Sequence, residues 1–289
     1  MRIPAYWSKA TAQETGENGK TAEFTLWRSS DESPDAAHQS ALAAAVESAR
    51  RFLAGQRIGR YAYGSAPLRE EVIQRFTDAS GQEFAAVTRN HYGSLVLNSA
   101  RVMFIDVDFP YVSSGKRLAA RVGRFFGRKG PTIDEQREAG AREKFERFAA
   151  ANAGSSVRLY RTKAGMRGMV THELFEPAAD ATIALLNSIG SDPLFVRLCK
   201  AQECFRARLT PKHWRCGGRR LREPPRWPRE ADGAERFSKW LADYNARQAS
   251  FATCQFLATL GSGSVHPEAE HVRRIHDEAT RCDAPLPLA

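Results

Sequence analysis

The run Val102-Met103-Phe104-Ile105-Asp106-Val107-Asp108 constrains this chain more than any other stretch. Four consecutive apolar residues, then a valine between two acids, read as a buried strand whose end reaches polar surroundings. Side chains at i and i+2 of a strand share a face, so Asp106 and Asp108 project together. Two carboxylates at the end of a central strand are costly unless they are solvated or neutralised. A hard divalent cation, Mg²⁺ or Mn²⁺, with phosphate oxygens and water completing its shell, suits such a pair. The competing reading is a plain loop entry before Pro110.

The rest of the chain can support a strand of that kind. Its 289 residues are 42% hydrophobic and 26% charged, enough for a sizeable core. No run of about 18 apolar residues occurs, which excludes a membrane-spanning helix from the expectation. Met1 to Tyr6 contain no apolar core of signal-peptide length, and five cysteines are an odd number, so a cytoplasmic chain is expected.

The net charge of +10 is concentrated. Between Gly115 and Gly130 stand Lys116, Arg117, Arg121, Arg124, Arg128 and Lys129 with no acid. Between Cys204 and Arg229 stand Arg206, Arg208, Lys212, Arg215, Arg219, Arg220, Arg222, Arg226 and Arg229 against Glu223 alone. Two basic segments on a mildly acidic body imply a polyanionic partner, nucleic acid or nucleotide phosphates. Within that footprint Arg121, Arg124, Arg215, Arg219, Arg220 and Arg222 are the candidate nucleic-acid contacts. No membrane contact and no particular protein partner is indicated.

Three parts follow from the patterning. Residues 1–82 form an N-terminal mixed module. Ser33-Pro34 starts a helix that closes near Gly55, and a second short helix after Pro67 carries Leu68, Val72, Ile73 and Phe76. Residues 83–212 form the core. Phe84–Val87 and Leu95–Leu97 make a hairpin, Thr132 caps a helix, and Val157–Arg161 returns through a Thr162–Gly165 turn to Met166–Thr171. Helical spacing from 178 to about 203 breaks at Gly190-Ser191-Asp192-Pro193, and Cys204–Thr210 alternates as a strand with one basic face. From 213 a basic loop with Trp214 and Trp227 leads into helices at 232 onward and over Phe251–Leu260, with a frayed tail.

In order, the core reads β-α-β-β-α-β, an α+β ferredoxin/RRM-like arrangement with N-terminal and C-terminal helical additions. Val102–Asp108 should then pair with Val157–Arg161 and Cys204–Thr210. On the hairpin, Arg161, Thr162, Lys163, Gly165 and Arg167 supply turn amides, a hydroxyl and cations, a phosphate cradle facing the acids. His172, at the end of the return strand, is a further catalytic candidate. Arg206, Arg208 and Thr210 share a face that ends at Lys212. Like charges so placed repel unless an anion bridges them, and the nearby sequence offers only Glu203 as an acidic partner.

Together these residues resemble the archaeo-eukaryotic primase and primase-polymerase superfamily over roughly 100–212. Phe104-Ile105-Asp106-Val107-Asp108 looks like its first motif, Tyr160–Arg167 like its second, and Arg206–Lys212 like its basic closing strand. The resemblance implies a palm core with Asp106 and Asp108 as metal ligands, acting on nucleic acid and nucleoside triphosphates. Arg167 stands about where the family's histidine is expected, and Asp192 is the nearest candidate for its third acid, in a helical context. Two alternatives use the same residues. Gly93-Ser94, with eleven residues between it and Asp106, has the spacing of polymerase-β-like nucleotidyltransferases, which require a helix after Gly-Ser. A catalytically degenerate palm serving as a nucleic-acid-binding module is the other. Cys199, Cys204, Cys216 and His213 match no standard zinc knuckle and read as buried thiols rather than zinc ligands.

Overall fold

Helix starts and breaks fall where capping residues put them. The computed structural model describes residues 1–57, 67–125, 130–217 and 224–289, without the side chains at 117, 119–121, 123 and 124. Its strands are β1 (Tyr6–Thr15), β2 (Thr21–Ser30), β3 (Glu71–Thr77), β4 (Glu83–Arg89), β5 (Leu95–Ser99), β6 (Phe104–Asp108), β7 (Ser156–Thr162), β8 (Gly165–Val170), β9 (Phe205–Arg208) and β10 (Cys254–Gly261). Its helices are α1 (Pro34–Leu53), α2 (Ser114–Phe125), α3 (Ile133–Ala151), α4 (Asp180–Ile189), α5 (Pro193–Gln202), α6 (Ala231–Gln248) and α7 (Pro267–Thr280). Ser33 caps α1, and Thr132 and Glu135 form a reciprocal capping box on α3. Gly190, at φ 77°, ends α4, and Asp192 caps α5 through the Phe195 amide, so the Gly-Ser-Asp-Pro break lies where the sequence puts it.

The described residues form an α+β fold of three antiparallel sheets. β1 and β2 make a hairpin packed on α1. A second sheet runs β10-β7-β8-β6, and a third runs β3-β4-β5-β9. The core lies around β6–β8, where Phe145 and Phe148 of α3, Leu186 of α4 and Val272 of α7 join the buried strand residues. Among the described residues no helix is long and apolar enough to cross a membrane.

The single sheet expected over 100–212 does not form. β6 pairs with β8, and with neither Val157–Arg161 nor Cys204–Thr210. Two sets of long-range contacts accompany this. The open edge of β6 is met by the α4–α5 junction, where the Asp192 amide donates to Asp106 O at 2.8 Å and the Ser191 hydroxyl does so at 3.1 Å. β9 joins β5 instead, where Arg206 finds Asn98 and Glu70.

The flanking additions are not simply helical. The stretch after Pro67 is strand β3, not a helix. Register shifts at Val72/Gln74 and Phe76/Thr77 bulge it, so its apolar residues lack the strict alternation that marks a strand. Phe251–Leu260 contains strand β10, which pairs with β7. The tail is helix α7, held by buried Ala269, Val272, His276 and Thr280.

Candidate functional site

Asp106 and Asp108 open onto a cleft of about 650 Å³ walled by β6, the β7–β8 turn, the start of α5 and the segment after β9. Neither carboxylate accepts a hydrogen bond from a described residue. Burial, with Asp106 and Asp192 nearby, pushes the Asp108 carboxyl up from its ordinary range. Asp192 thus belongs to the site although it caps a helix. Capping occupies one of its oxygens, and the position that seemed to disqualify it is what brings it here.

Arg208, Lys212 and Arg215 face the acids. Burial pushes Arg208 down to about 10 and Lys212 to about 8, with neighbouring cations adding to both, and it lowers Arg215. None of the three makes an ion pair within 4 Å among the described residues, and Arg208 Nε is buried without a hydrogen-bond partner. They are held rigidly. Leu209 N donates to Leu95 O, Leu95 N to Thr210 Oγ1, and Ser94 Oγ and Tyr244 OH both donate to Pro211 O. An acid pushed up and bases pushed down across an unclosed gap are what a bound cation–anion pair would relieve.

The hairpin contributes unevenly. Thr162, Lys163 and Arg167 line the cleft. Gly165 is required, because a Cβ there would lie 2.3 Å from Val107 O, where the turn closes on the end of β6. Arg161 is a correction to the sequence reading. It is opposite Met166, on the other face of the sheet, where it pairs with Glu138 at 2.8 Å and covers the Phe109 ring. Arg206 is a second correction. It lines the wall, but its guanidinium is bound to Glu70 at 2.8 and 2.9 Å and to Asn98 at 2.7 Å. Its acidic partner lies 136 residues away in the chain, beyond any neighbourhood search.

His172 is the third correction. β8 runs away from the acids, since Asp108 is opposite Gly165 and Phe104 opposite Met169. His172 lies beyond that far end, where it accepts from the Ser156 amide at 3.1 Å and meets Glu173. The side chains of Arg121 and Arg124, and all of Arg219, Arg220 and Arg222, fall outside the described residues. Gly93-Ser94 leads into strand β5 rather than a helix, and the Ser94 hydroxyl is turned to Pro211.

Sequence reasoning missed His276. Arg167 donates through Nη1 to Arg208 O at 3.0 Å and to His276 Nε2 at 3.3 Å. A guanidinium can only donate, so Nε2 accepts and the Nδ1 proton goes to Asp277, 2.9 Å away. Asp277 also takes the Tyr160 hydroxyl at 2.7 Å and Arg158 at 3.0 Å. Burial, with the charges of Arg167 and Arg158, outweighs Asp277 and pushes the imidazole down to about 4. The unfolded chain's imidazole takes its proton near 6.5, so acid favours unfolding between about 6.5 and 4. Urea unfolding is therefore expected to show stability falling as pH drops through that window, and His276→Gln should flatten this dependence. An equally steep fall in the variant would remove His276 as its source.

The donor set can be tested against a divalent ion. Among the described residues no group of three or more His, Cys, Asp or Glu side chains is disposed to hold a metal. A hard ion that keeps several waters needs only one or two carboxylates plus substrate phosphates, and Asp106 with Asp108 meets that need. No family model, curated protein or solved structure matches the chain, so the residues of the cleft are the ground for its chemistry.

Proposed function

We propose that the cleft performs metal-dependent nucleotidyl transfer of primase-polymerase type, adding a nucleoside monophosphate from a triphosphate to a nucleic-acid 3′-hydroxyl. The observation that carries this reading is the pairing across one cleft of two carboxylates with three cations, the carboxylates without hydrogen bonds and the cations without ion pairs among the described residues. Asp106 and Asp108 would hold Mg²⁺ or Mn²⁺. The ion supplies charge neutralisation on the triphosphate and lowers the barrier to attack at its α-phosphorus. Arg208, Lys212 and Arg215 hold the phosphates from the opposite wall, with Lys163 at the rim. Arg167, fixed between Arg208 O and His276, sets the floor between the two groups. The palm topology belongs to this proposal too: β7, β8 and β6 lie in the order that a ferredoxin-like sheet gives its first three strands, while β9, the expected fourth, stands in the other sheet.

The test is nucleotide incorporation on a primed template with Mg²⁺ or Mn²⁺. Arg208→Ala should raise the nucleotide KM by ~5- to 150-fold, the ~1–3 kcal/mol of a charge-assisted contact, with a smaller change in kcat. An unchanged KM would take Arg208 out of phosphate binding. The second reading, a nucleic-acid-binding module on a degenerate palm, uses the same cations of the cleft wall without the chemistry. A wild-type chain that binds nucleic acid but incorporates nothing with either ion would establish it.

A further inference from the structure

The β1–β2 hairpin has two unlike faces. Ala10, Ala12 and Ala22 are buried on one, and Phe24 there meets Phe52 of α1 edge-on at 5.8 Å. Trp7 is opposite Ser29 and Lys9 opposite Trp27, which places both tryptophans on the other face, away from α1. That face borders a second cavity, of about 440 Å³, whose walls also carry Trp227, Arg28, Arg69 and Arg226. The Arg69 guanidinium stacks on the Trp27 ring at 3.9 Å. Trp7 Nε1 is buried and has no hydrogen-bond partner among the described residues. Leu68, Glu70 and His91 line both this cavity and the cleft, so the two share a wall.

The chemistry of these walls is selective. Three half-buried indoles and a stacked guanidinium offer flat π surfaces that an aliphatic ligand would not need. Arginines around them match phosphates rather than a neutral aromatic compound. A buried indole N–H without a partner is relieved by an acceptor on a ligand. Duplex nucleic acid hides its base faces, whereas a single strand presents them.

We propose that this cavity stacks the unpaired bases of single-stranded nucleic acid on Trp7, Trp27 and Trp227 and delivers the strand to the adjacent cleft. The strand's role as template rests on the nucleotidyl-transfer reading; the stacking does not.

The test is anisotropy with a labelled oligothymidylate of about 12 nucleotides, within the ~4–16 nucleotides of known single-strand sites, against an abasic strand of equal length and charge. Wild type should bind the base-bearing strand about 5- to 150-fold tighter, the worth of one base–aromatic stack. Trp27→Leu and Trp227→Leu should each shrink that ratio, while Trp27→Phe keeps most of it. Neither leucine variant should alter affinity for the abasic strand or the slope of log affinity against log salt, since no phosphate contact is lost. Equal wild-type affinity for the two strands overturns the proposal, as does a ratio untouched by Trp227→Leu. If Trp27→Leu fails to fold, these two measurements still decide. Base-dependent binding without incorporation ends the transferase reading and keeps this one. Incorporation without base-dependent binding does the reverse.

Discussion

Asp106→Asn is expected to abolish nucleotide incorporation, by about 10³-fold or more, and to leave nucleic-acid affinity unchanged or slightly higher. The magnitude follows from the role. A carboxylate that holds the charge-neutralising ion contributes several kcal/mol in the transition state, and each ~1.4 kcal/mol is tenfold in rate. The neutral amide keeps the shape and removes one negative charge facing phosphates, so binding does not suffer. Folding should not suffer either. The Asp106 side chain accepts no hydrogen bond from a described residue, its backbone is held by Ser191 and Asp192, and its charge raises the Asp108 carboxyl while supporting the buried Arg208 and Lys212. Those two effects oppose each other, so stability in urea should stay close to wild type. A variant that is stable and still incorporates nucleotide removes Asp106 from the chemistry and the transferase reading with it.

How much of this was legible in the sequence depends on how local each determinant is. The β6 strand and its two acids, the Thr132 N-cap, the Thr162–Gly165 turn and the break at 190–193 are each set within a few residues, and all were found. The placement of β9 was not. It depends on Glu70 taking Arg206, and on Ser191 taking the open edge of β6, and neither relation has a local signature. β3 was misread because bulges at two points go with a break in the period-2 alternation that marks a strand. α7 was missed because a helix with four acids and two arginines among its 14 residues shows polarity first. Its buried positions, Ala269, Val272, His276 and Thr280, become a stripe only when their partners Phe104 and Tyr160 are known. The site was half legible for the same reason. Asp106, Asp108, Arg208 and Lys212 lie on one strand end and one segment with plain alternation. Asp192 and His276 arrive from helices distant in the chain.

Glu70→Ala carries the largest expected effect on stability. Arg206 and Glu70 are both largely buried, with side chains 10% and 6% exposed. Two guanidinium contacts at 2.8 and 2.9 Å, and the Thr88 hydroxyl at 2.6 Å, satisfy the carboxylate. Removing the acid leaves a cation in the wall of the cleft with only Asn98 to answer it, which costs about 3–5 kcal/mol. Against a total of roughly 5–15 kcal/mol, that removes about a fifth of the stability or more. Replacing both partners, Glu70→Leu with Arg206→Met, removes the stranded charge together with its counter-ion and should recover most of the loss. The urea midpoint reads both variants. The double variant also separates structure from chemistry. If Arg206 only fastens β9 to its sheet, the refolded double variant keeps wild-type nucleotide KM, because Arg208, Lys212 and Arg215 remain where the 209–212 segment holds them. A raised KM in a stable double variant would return Arg206 to the phosphate-binding set. A single Glu70→Ala variant as stable as wild type would show that the guanidinium escapes to solvent, and the pair would then not be what fixes β9 beside β5.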